Sequence, residues 1–320
     1  MTALETVNLT KNYDDLCAVS KLNLKVDNEI YGLLGPNGSG KTTTIKMLTS
    51  LLIPTSGSAY VCGHSAVKEP EAIRQCLSYV PQDMAVDARL TGRESVDFFA
   101  KLYGIRNKKE RKRRVDDSLD VMGLTDRAND LVKTYSGGMR RRLELSQALV
   151  HEPTVLFLDE PTIGLDVAAR KTIWEHISLL RKKGMTIFVT THHMDEAERY
   201  CDRVGIMRKG VMVKEGPPSK LKGDLMNDLI TVHLDGQFPE LDIEGVSMIS
   251  QVDDEAILAA DHGSLAIPRI MHELDRVDVH IKSISVREPT LEDVYLQSVD
   301  VTEDSGPFDA RKFRNIMYRR

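Results

Sequence analysis

The residues with the clearest capacity for chemistry lie near positions 40 and 160. Residues 35–43 read GPNGSGKTT and satisfy the pattern G-x-x-x-x-G-K-[ST] through Gly35, Gly40, Lys41 and Thr42. In that pattern the amides of the loop and of the following helix terminus cradle phosphates, the lysine meets the terminal ones, and the final hydroxyl binds Mg2+. Such a loop supplies no carboxylate. Asp159 and Glu160, ending the apolar run VLFL, supply two: one suited to hold a metal ion and a second beside it. A third polar group, His192, His193, Asp195 and Glu196, follows another apolar run. Adjacent histidines on one strand point to opposite faces and do not easily share an ion, which argues against a metal centre there.

Positioning these residues requires a particular order of elements. The apolar run 30–34 leads into the glycine loop, and a helical pattern continues through Leu52: strand, loop, helix. The acid pair ends TVLFLDE, which is followed by the helical AARKTIWEHISLLRKKG and the strand-like MTIFVTTHH. That alternation predicts βαβ units in a doubly wound α/β core. A single crossover needs far fewer residues than separate position 41 from position 159, so something is inserted. GRESVDFFAKLYG, the charged RNKKERKRRVDDSLDVMG and a helix beginning near Ser136 form that insertion, a helical subdomain over about 84–150. Short β-rich runs open the chain. From Asp224 the runs LITVHLDG and DVHIKSISV surround one helical stretch, predicting a small α+β domain over 224–300. Residues 301–320 read as a mobile basic tail, with a short basic amphipathic helix around Phe313, Ile316 and Met317 as the alternative.

At 320 residues the chain has room for a large domain and a smaller one. Hydrophobic and charged fractions of 41% and 28% suit a globular protein, and a net charge of -5 gives no global attraction to nucleic acid. The basic run RNKKERKRR sits amid acids on a predicted helix, where a solvated face is the usual explanation. No run of about 18 apolar residues occurs, and the first residues lack the apolar core of a signal peptide, so the chain is expected to stay in the cytosol. Cys17, Cys62, Cys76 and Cys201 form no close pair in sequence, which argues against disulfides or zinc and favours small buried hydrophobes.

Taken in order, GPNGSGKTT, YVPQD, YSGGMRRRLELSQAL, VLFLDEP, IGLD and TTHH resemble the successive motifs of an ATP-binding cassette (ABC) domain, over about residues 4–220. EPTLEDVYL, near Leu291, is similar to the C-terminal end of the drug-export branch typified by daunorubicin-resistance ATPases. The resemblance implies a RecA-like P-loop NTPase core over 1–223, with an antiparallel β subdomain and the helical insertion, and ATP with Mg2+ as ligands. Gly35, Pro36, Asn37, Gly38, Ser39, Gly40, Lys41, Thr42 and Thr43 would hold the nucleotide. Tyr13 would stack on adenine, a reading that leads over that of an ordinary half-exposed strand aromatic. Around Mg2+ the family places Thr42, Gln82 and, through water, Asp159. Glu160 would polarise the attacking water, His192 would contact the γ-phosphate and fix Glu160, and His193 would be a bystander. Gln82 would link the site to a membrane partner.

Ser136, Gly137, Gly138 and Met139 open a helix, so a hydroxyl, amides and a positive helix end point together at an anion. In the family that anion is the γ-phosphate bound by the other subunit, and Asp166 belongs to a turn contacting that subunit. Tyr135, Met139 and Ile163 depart from the common leucine, glutamine and small polar residue without removing any phosphate-binding group. The expectation is an ATPase subunit that pairs with a second copy around two ATP and drives transport, as export, through a separate transmembrane permease on the cytoplasmic face of the membrane. The alternative is a non-transport ABC ATPase acting on nucleic acid or ribosomes; tandem cassettes and a long heptad insertion, its usual marks, are missing. An inert ATP-binding module is disfavoured by the presence of both Glu160 and His192.

Overall fold

The structure, a computed structural model, describes residues 2–83, 86–223, 228–236, 238, 239, 241 and 243–300. Two compact units comprise residues 1–215 and 216–320.

In the first unit β1 (Leu4–Tyr13) and β2 (Leu16–Val26) form a hairpin, followed by β3 (Ile30–Leu34), α1 (Lys41–Leu48), β4 (Ser56–Val61), β5 (His64–Ser65), α2 (Pro70–Cys76) and β6 (Leu77–Val80). Then come α3 (Gly92–Leu102), α4 (Lys108–Val121), α5 (Gly137–Leu149), β7 (Val155–Asp159), α6 (Val167–Lys182), β8 (Thr186–Thr191), α7 (Met194–Tyr200), β9 (Arg203–Arg208) and β10 (Val211–Gly216). Every residue of β3, β7 and β8 is buried, as expected of short apolar strands covered on both faces. They lie side by side and parallel in a six-stranded sheet ordered β10-β9-β3-β8-β7-β6. The loops following them therefore open at one end of the sheet, where open α/β folds bind ligands. A second, antiparallel sheet, β2-β1-β4-β5, shares a core with the first: Leu4, Leu22 and Val61 pack with Tyr31, Phe157 and Phe188.

The helical insertion lies between β6 and β7. Thr91 starts α3 with a reciprocal cap, accepting from the Glu94 amide while the Glu94 carboxylate accepts from the Thr91 amide. On α4 the basic run is neutralised locally: Arg113 and Arg114 pair with Glu110, and Arg111 with Asp97 on α3. Only Val115, Ser118 and Leu119 of α4 are buried.

Helix α1 stops at Leu48 instead of running through Leu52. Ser50 takes a left-handed φ of 60°, and the amides of Leu51 and Leu52 both turn back to the Lys46 carbonyl. The cysteines also depart from expectation. Cys62 and Cys76 come together against the main core, where the Cys76 thiol donates to the Ile73 carbonyl at 3.2 Å; Cys201 is buried, but Cys17 is exposed.

The second unit contains α8 (Pro218–Gly223), β11 (Asp228–Leu234), β12 (Val246–Val252), β13 (Glu255–Ala260), α9 (Gly263–Arg276), β14 (Ile281–Arg287) and α10 (Leu291–Asp300). Its antiparallel sheet is ordered β12-β13-β11-β14. Helix α9 presents Ala266, Ile270 and Leu274, one stripe at fourfold spacing, to a core with Ile230, Val232 and Leu258. Because α8 packs on α10, this unit starts at Gly216, ahead of the change in composition at Asp224. In EPTLEDVYL, Thr290 caps α10 by hydrogen bonds exchanged with Asp293, and Arg287 grips the same carboxylate with both terminal nitrogens. The tail, 301–320, lies outside the described residues.

Candidate functional site

The glycine loop is shaped by what presses on it. Gly40 stands at φ 105° at the start of α1, and a Cβ there would lie 2.4 Å from the Ala18 carbonyl of β2, so only glycine fits. Lys41, 6% exposed, donates to the carbonyls of Gly35 (2.7 Å) and Pro36 (3.2 Å) and lies 3.6 Å from Glu160 Oε1. Burial pushes its pKa down, and Glu160 followed by Asp159 pulls it partly back. The buried Ser39 hydroxyl has no hydrogen-bond partner among the described residues, while Asn37 and Gly38 are exposed. A buried orphan hydroxyl beside a lysine at the open start of a helix fits a polyphosphate.

Asp159 ends β7. Its Oδ1 accepts from the hydroxyls of Thr190 (2.5 Å) and Thr42 (3.3 Å), and its Oδ2 from Tyr79 at 3.5 Å. Burial, then the Asp159 charge, pushes the Tyr79 phenol up to about 12. A carboxylate and a hydroxyl converging from two elements are the hard oxygen donors that Mg2+ prefers.

Glu160 breaks the strand with a left-handed φ of 49°, a strain costing about 1–3 kcal/mol that persists only where the surroundings enforce it. Its amide donates to the Thr190 carbonyl and hydroxyl, at 3.1 and 3.2 Å. The carboxylate is 2.8 Å from His192 Nδ1. Burial raises its pKa, but the His192 hydrogen bond and the Lys41 ammonium outweigh that and leave it below the usual carboxylate range. Glu160 is therefore an anion at neutral pH.

The two histidines do not occupy opposite faces of a strand. β8 stops at Thr191, the His193 amide turns back to the Thr191 hydroxyl at 2.9 Å, and the rings lie 4.1 Å apart, inclined by 37°. Burial, then neighbouring His192, lowers the His193 pKa. No group of three or more His, Cys, Asp or Glu placed to hold a metal occurs among the described residues.

One cluster therefore unites Lys41, Thr42, Asp159, Glu160 and His192. Thr190 and Tyr79 belong to it and were not singled out in the sequence; they lie on the short, mostly buried strands β8 and β6, where other polar residues stand beside them. Tyr13, Gln82, Ser136 and Asp166 share no hydrogen bond or ion pair with the cluster among the described residues. Tyr13 ends β1 at 44% exposure with the Lys11 ammonium 5.2 Å from its ring centre. Gln82 is exposed beyond β6. Ser136 caps α5, accepting from the Met139 amide, and both Ser136 and Gly137 are exposed. Asp166, also exposed, caps α6 by accepting from the Ala169 amide at 2.8 Å.

Tyr135, one of the departures from the family pattern, is an anchor. It is 3% exposed and its hydroxyl donates to the Arg127 carbonyl at 2.7 Å. A Cβ on Gly92, at the start of α3, would meet that hydroxyl at 2.3 Å. Gly92→Ala is therefore expected to cost about 1–3 kcal/mol, read as a lowered midpoint of thermal unfolding. Tyr135→Phe should recover part of the loss, and strictly additive effects would contradict the contact.

A phosphate-cradling loop, an acid pair and a histidine at the ends of adjacent parallel strands define a P-loop nucleoside triphosphatase. The family described as ABC transporter matches residues 19–163, and the C-terminal domain of DrrA1-3-like ATP-binding proteins matches 216–299. The daunorubicin/doxorubicin resistance ATP-binding protein DrrA of Streptomyces peucetius is 36% identical over 302 residues, covering 92% of this chain and 91% of its own length. The linearmycin resistance ATP-binding protein LnrL of Bacillus subtilis (strain 168) is 34% identical, covering 92% and 97%. A dimeric ATP-binding cassette solved in a post-hydrolysis state with ADP and phosphate superposes with a TM-score of 0.60 at 26% identity, covering 67% of this chain and 98% of its own. This chain belongs to the ATP-binding subunits of ABC transporters and is an ATPase. ABC ATPase domains bind ATP or ADP, and such subunits dimerise and work with membrane permeases. Relationship to transporter subunits does not favour action on nucleic acid or ribosomes.

Proposed function

We propose that the chain powers export of a drug-like small molecule through a separate permease, on the cytoplasmic face of the membrane, by closing with a second copy of itself around two ATP. The observation that carries this reading is the separation of two half-sites. Lys41, Asp159, Glu160 and His192 form one cluster, while the helix start at Ser136 and Gly137, both exposed, has no hydrogen bond to it among the described residues. An open helix N-terminus attracts an anion, and a head-to-tail partner supplies one. The resistance proteins related to this chain support export, and no helix among the described residues is long and apolar enough to cross a membrane.

In this reading residues 35–43 bind the phosphates and Tyr13 stacks on adenine. Thr42, Asp159 and Gln82 would hold Mg2+, which when bound neutralises charge on the phosphate oxygens. Anionic Glu160 orients and polarises the attacking water, and His192 fixes Glu160 and contacts the γ-phosphate. Ser136, Gly137, Gly138 and Met139 close on the partner's γ-phosphate, with Asp166 at the shared interface. Gln82 connects the site to the permease. Driving closure from 1:99 to 99:1 needs about 5.5 kcal/mol of preference for the closed state, a demand shared by two bridging triphosphates.

Purification of the tagged chain from membranes is expected to bring down a multispanning protein, and vesicles containing both should move drug only with ATP. Recovery of ribosomes or nucleic acid instead would sink the export reading. His192→Ala removes the hydrogen bond that most favours the Glu160 anion. With the depressed pKa thus released upward, the acid limb of ATPase kcat/KM should move toward neutrality, beyond any loss of rate. A slower enzyme with an unmoved acid limb would separate His192 from Glu160's charge.

A further inference from the structure

The buried Arg141 reaches both sides of the hydrolytic site. It lies one turn into α5, at 2% exposure, and its guanidinium bonds to elements far apart in sequence. Nε donates to the Pro161 carbonyl at 2.9 Å, and Nη2 reaches those of Asp159 and Glu160 at 3.2 and 3.4 Å. Nη1 donates to the Pro81 carbonyl at 2.8 Å and to the Glu144 carboxylate at 2.9 Å. Three successive carbonyls converge on one fork around the residue at φ 49°. A left-handed residue outside glycine needs such support from its surroundings, and a guanidinium is rigid, planar and always charged.

We propose that Arg141 is a positioning residue for hydrolysis: it holds the strained Glu160 peptide in the orientation that presents the carboxylate, and ties that peptide to Pro81, immediately before Gln82, and to the helix that begins at Ser136. This rests on the assignment of Glu160 as the group that polarises water. The guanidinium touches no reacting atom. It acts through the backbone, so a shift of the Pro81 segment or of α5 is passed to Glu160 by one rigid group. Lysine keeps the charge but gathers its three donors on a single nitrogen, which cannot hold all four carbonyls together.

The test compares Arg141→Lys in the parent and in a Glu160→Gln background, with ATP affinity and kcat measured in each. In the parent, ATP affinity should be retained while kcat falls between about tenfold and a hundredfold, the scale of a misplaced catalytic group. In the Glu160→Gln background the same substitution should cause little further loss, because the group it positions is already disabled. Unchanged kcat in Arg141→Lys overturns the proposal, as does an equal fold-loss in both backgrounds, which a general structural defect would give. If Glu160→Gln alone hydrolyses at the parent rate, Glu160 loses its role and this proposal falls with it. Retained ATP affinity reports folding; should Arg141→Lys fail to fold, Arg141→Gln is read by the same two comparisons.

Discussion

A Glu160→Gln variant should bind ATP with near-parental affinity yet hydrolyse it about 10²–10⁴-fold more slowly, the usual contribution of a positioned general base. The substitution changes little besides charge. Glutamine keeps the length of the side chain, and the backbone restraints at this left-handed position, from Thr190 and Arg141, are untouched. What disappears is a buried anion flanked by the His192 imidazole at 2.8 Å and the Lys41 ammonium at 3.6 Å. Those two neighbours hold the carboxylate below its ordinary pKa, so the parent enzyme has the anion ready throughout the neutral range. Because binding precedes hydrolysis, uncleaved ATP should accumulate between two chains, and size-exclusion chromatography with ATP should show a dimer that the parent loses as it turns over. A parental steady-state rate of phosphate release would remove Glu160 from its assigned role.

Lys41→Ala should fail earlier, at binding. A charged hydrogen bond to phosphate contributes about 1.5–3 kcal/mol, which corresponds to roughly ten- to a hundredfold in dissociation constant. The geometry adds to this. Lys41 Nζ now bridges the Gly35 and Pro36 carbonyls and the Glu160 carboxylate, so truncation leaves buried oxygens without their donor and an anion facing the phosphates. Titration with a fluorescent ATP analogue should show the weakened affinity, and turnover should drop with it. A variant that binds and hydrolyses ATP normally would mean that the loop does not hold the terminal phosphates through Lys41.

Much of this site was legible because parallel strands covered on both faces are short and apolar. β3, β7 and β8 stood out as such runs; the loop and His192 follow directly after β3 and β8, and the acid pair straddles the end of β7. Tertiary effects were harder to read. The apolar residues after Leu48 extended the helical pattern, yet Leu51 and Ile53 are 59% and 69% exposed and the chain turns at Ser50. The bend after Thr191 invalidated the argument from strand alternation and brought the rings of His192 and His193 together. Among Arg140, Arg141 and Arg142 nothing in composition marks one as buried. The sign was positional, since Arg141 shares a helical face with the buried Leu145 and Ala148. The meeting of Cys62 with Cys76 depends on packing between separate elements, which sequence spacing does not reveal.

The shared pocket between two copies is tested most directly by measuring ATPase rate per chain as a function of concentration, for the parent and for Ser136→Ala. The rate per chain should rise with concentration toward a plateau, and Ser136→Ala should fall well below the parent at every concentration. A parent that hydrolyses ATP at full rate as a strict monomer, with Ser136→Ala matching it, would contradict a site completed by the partner.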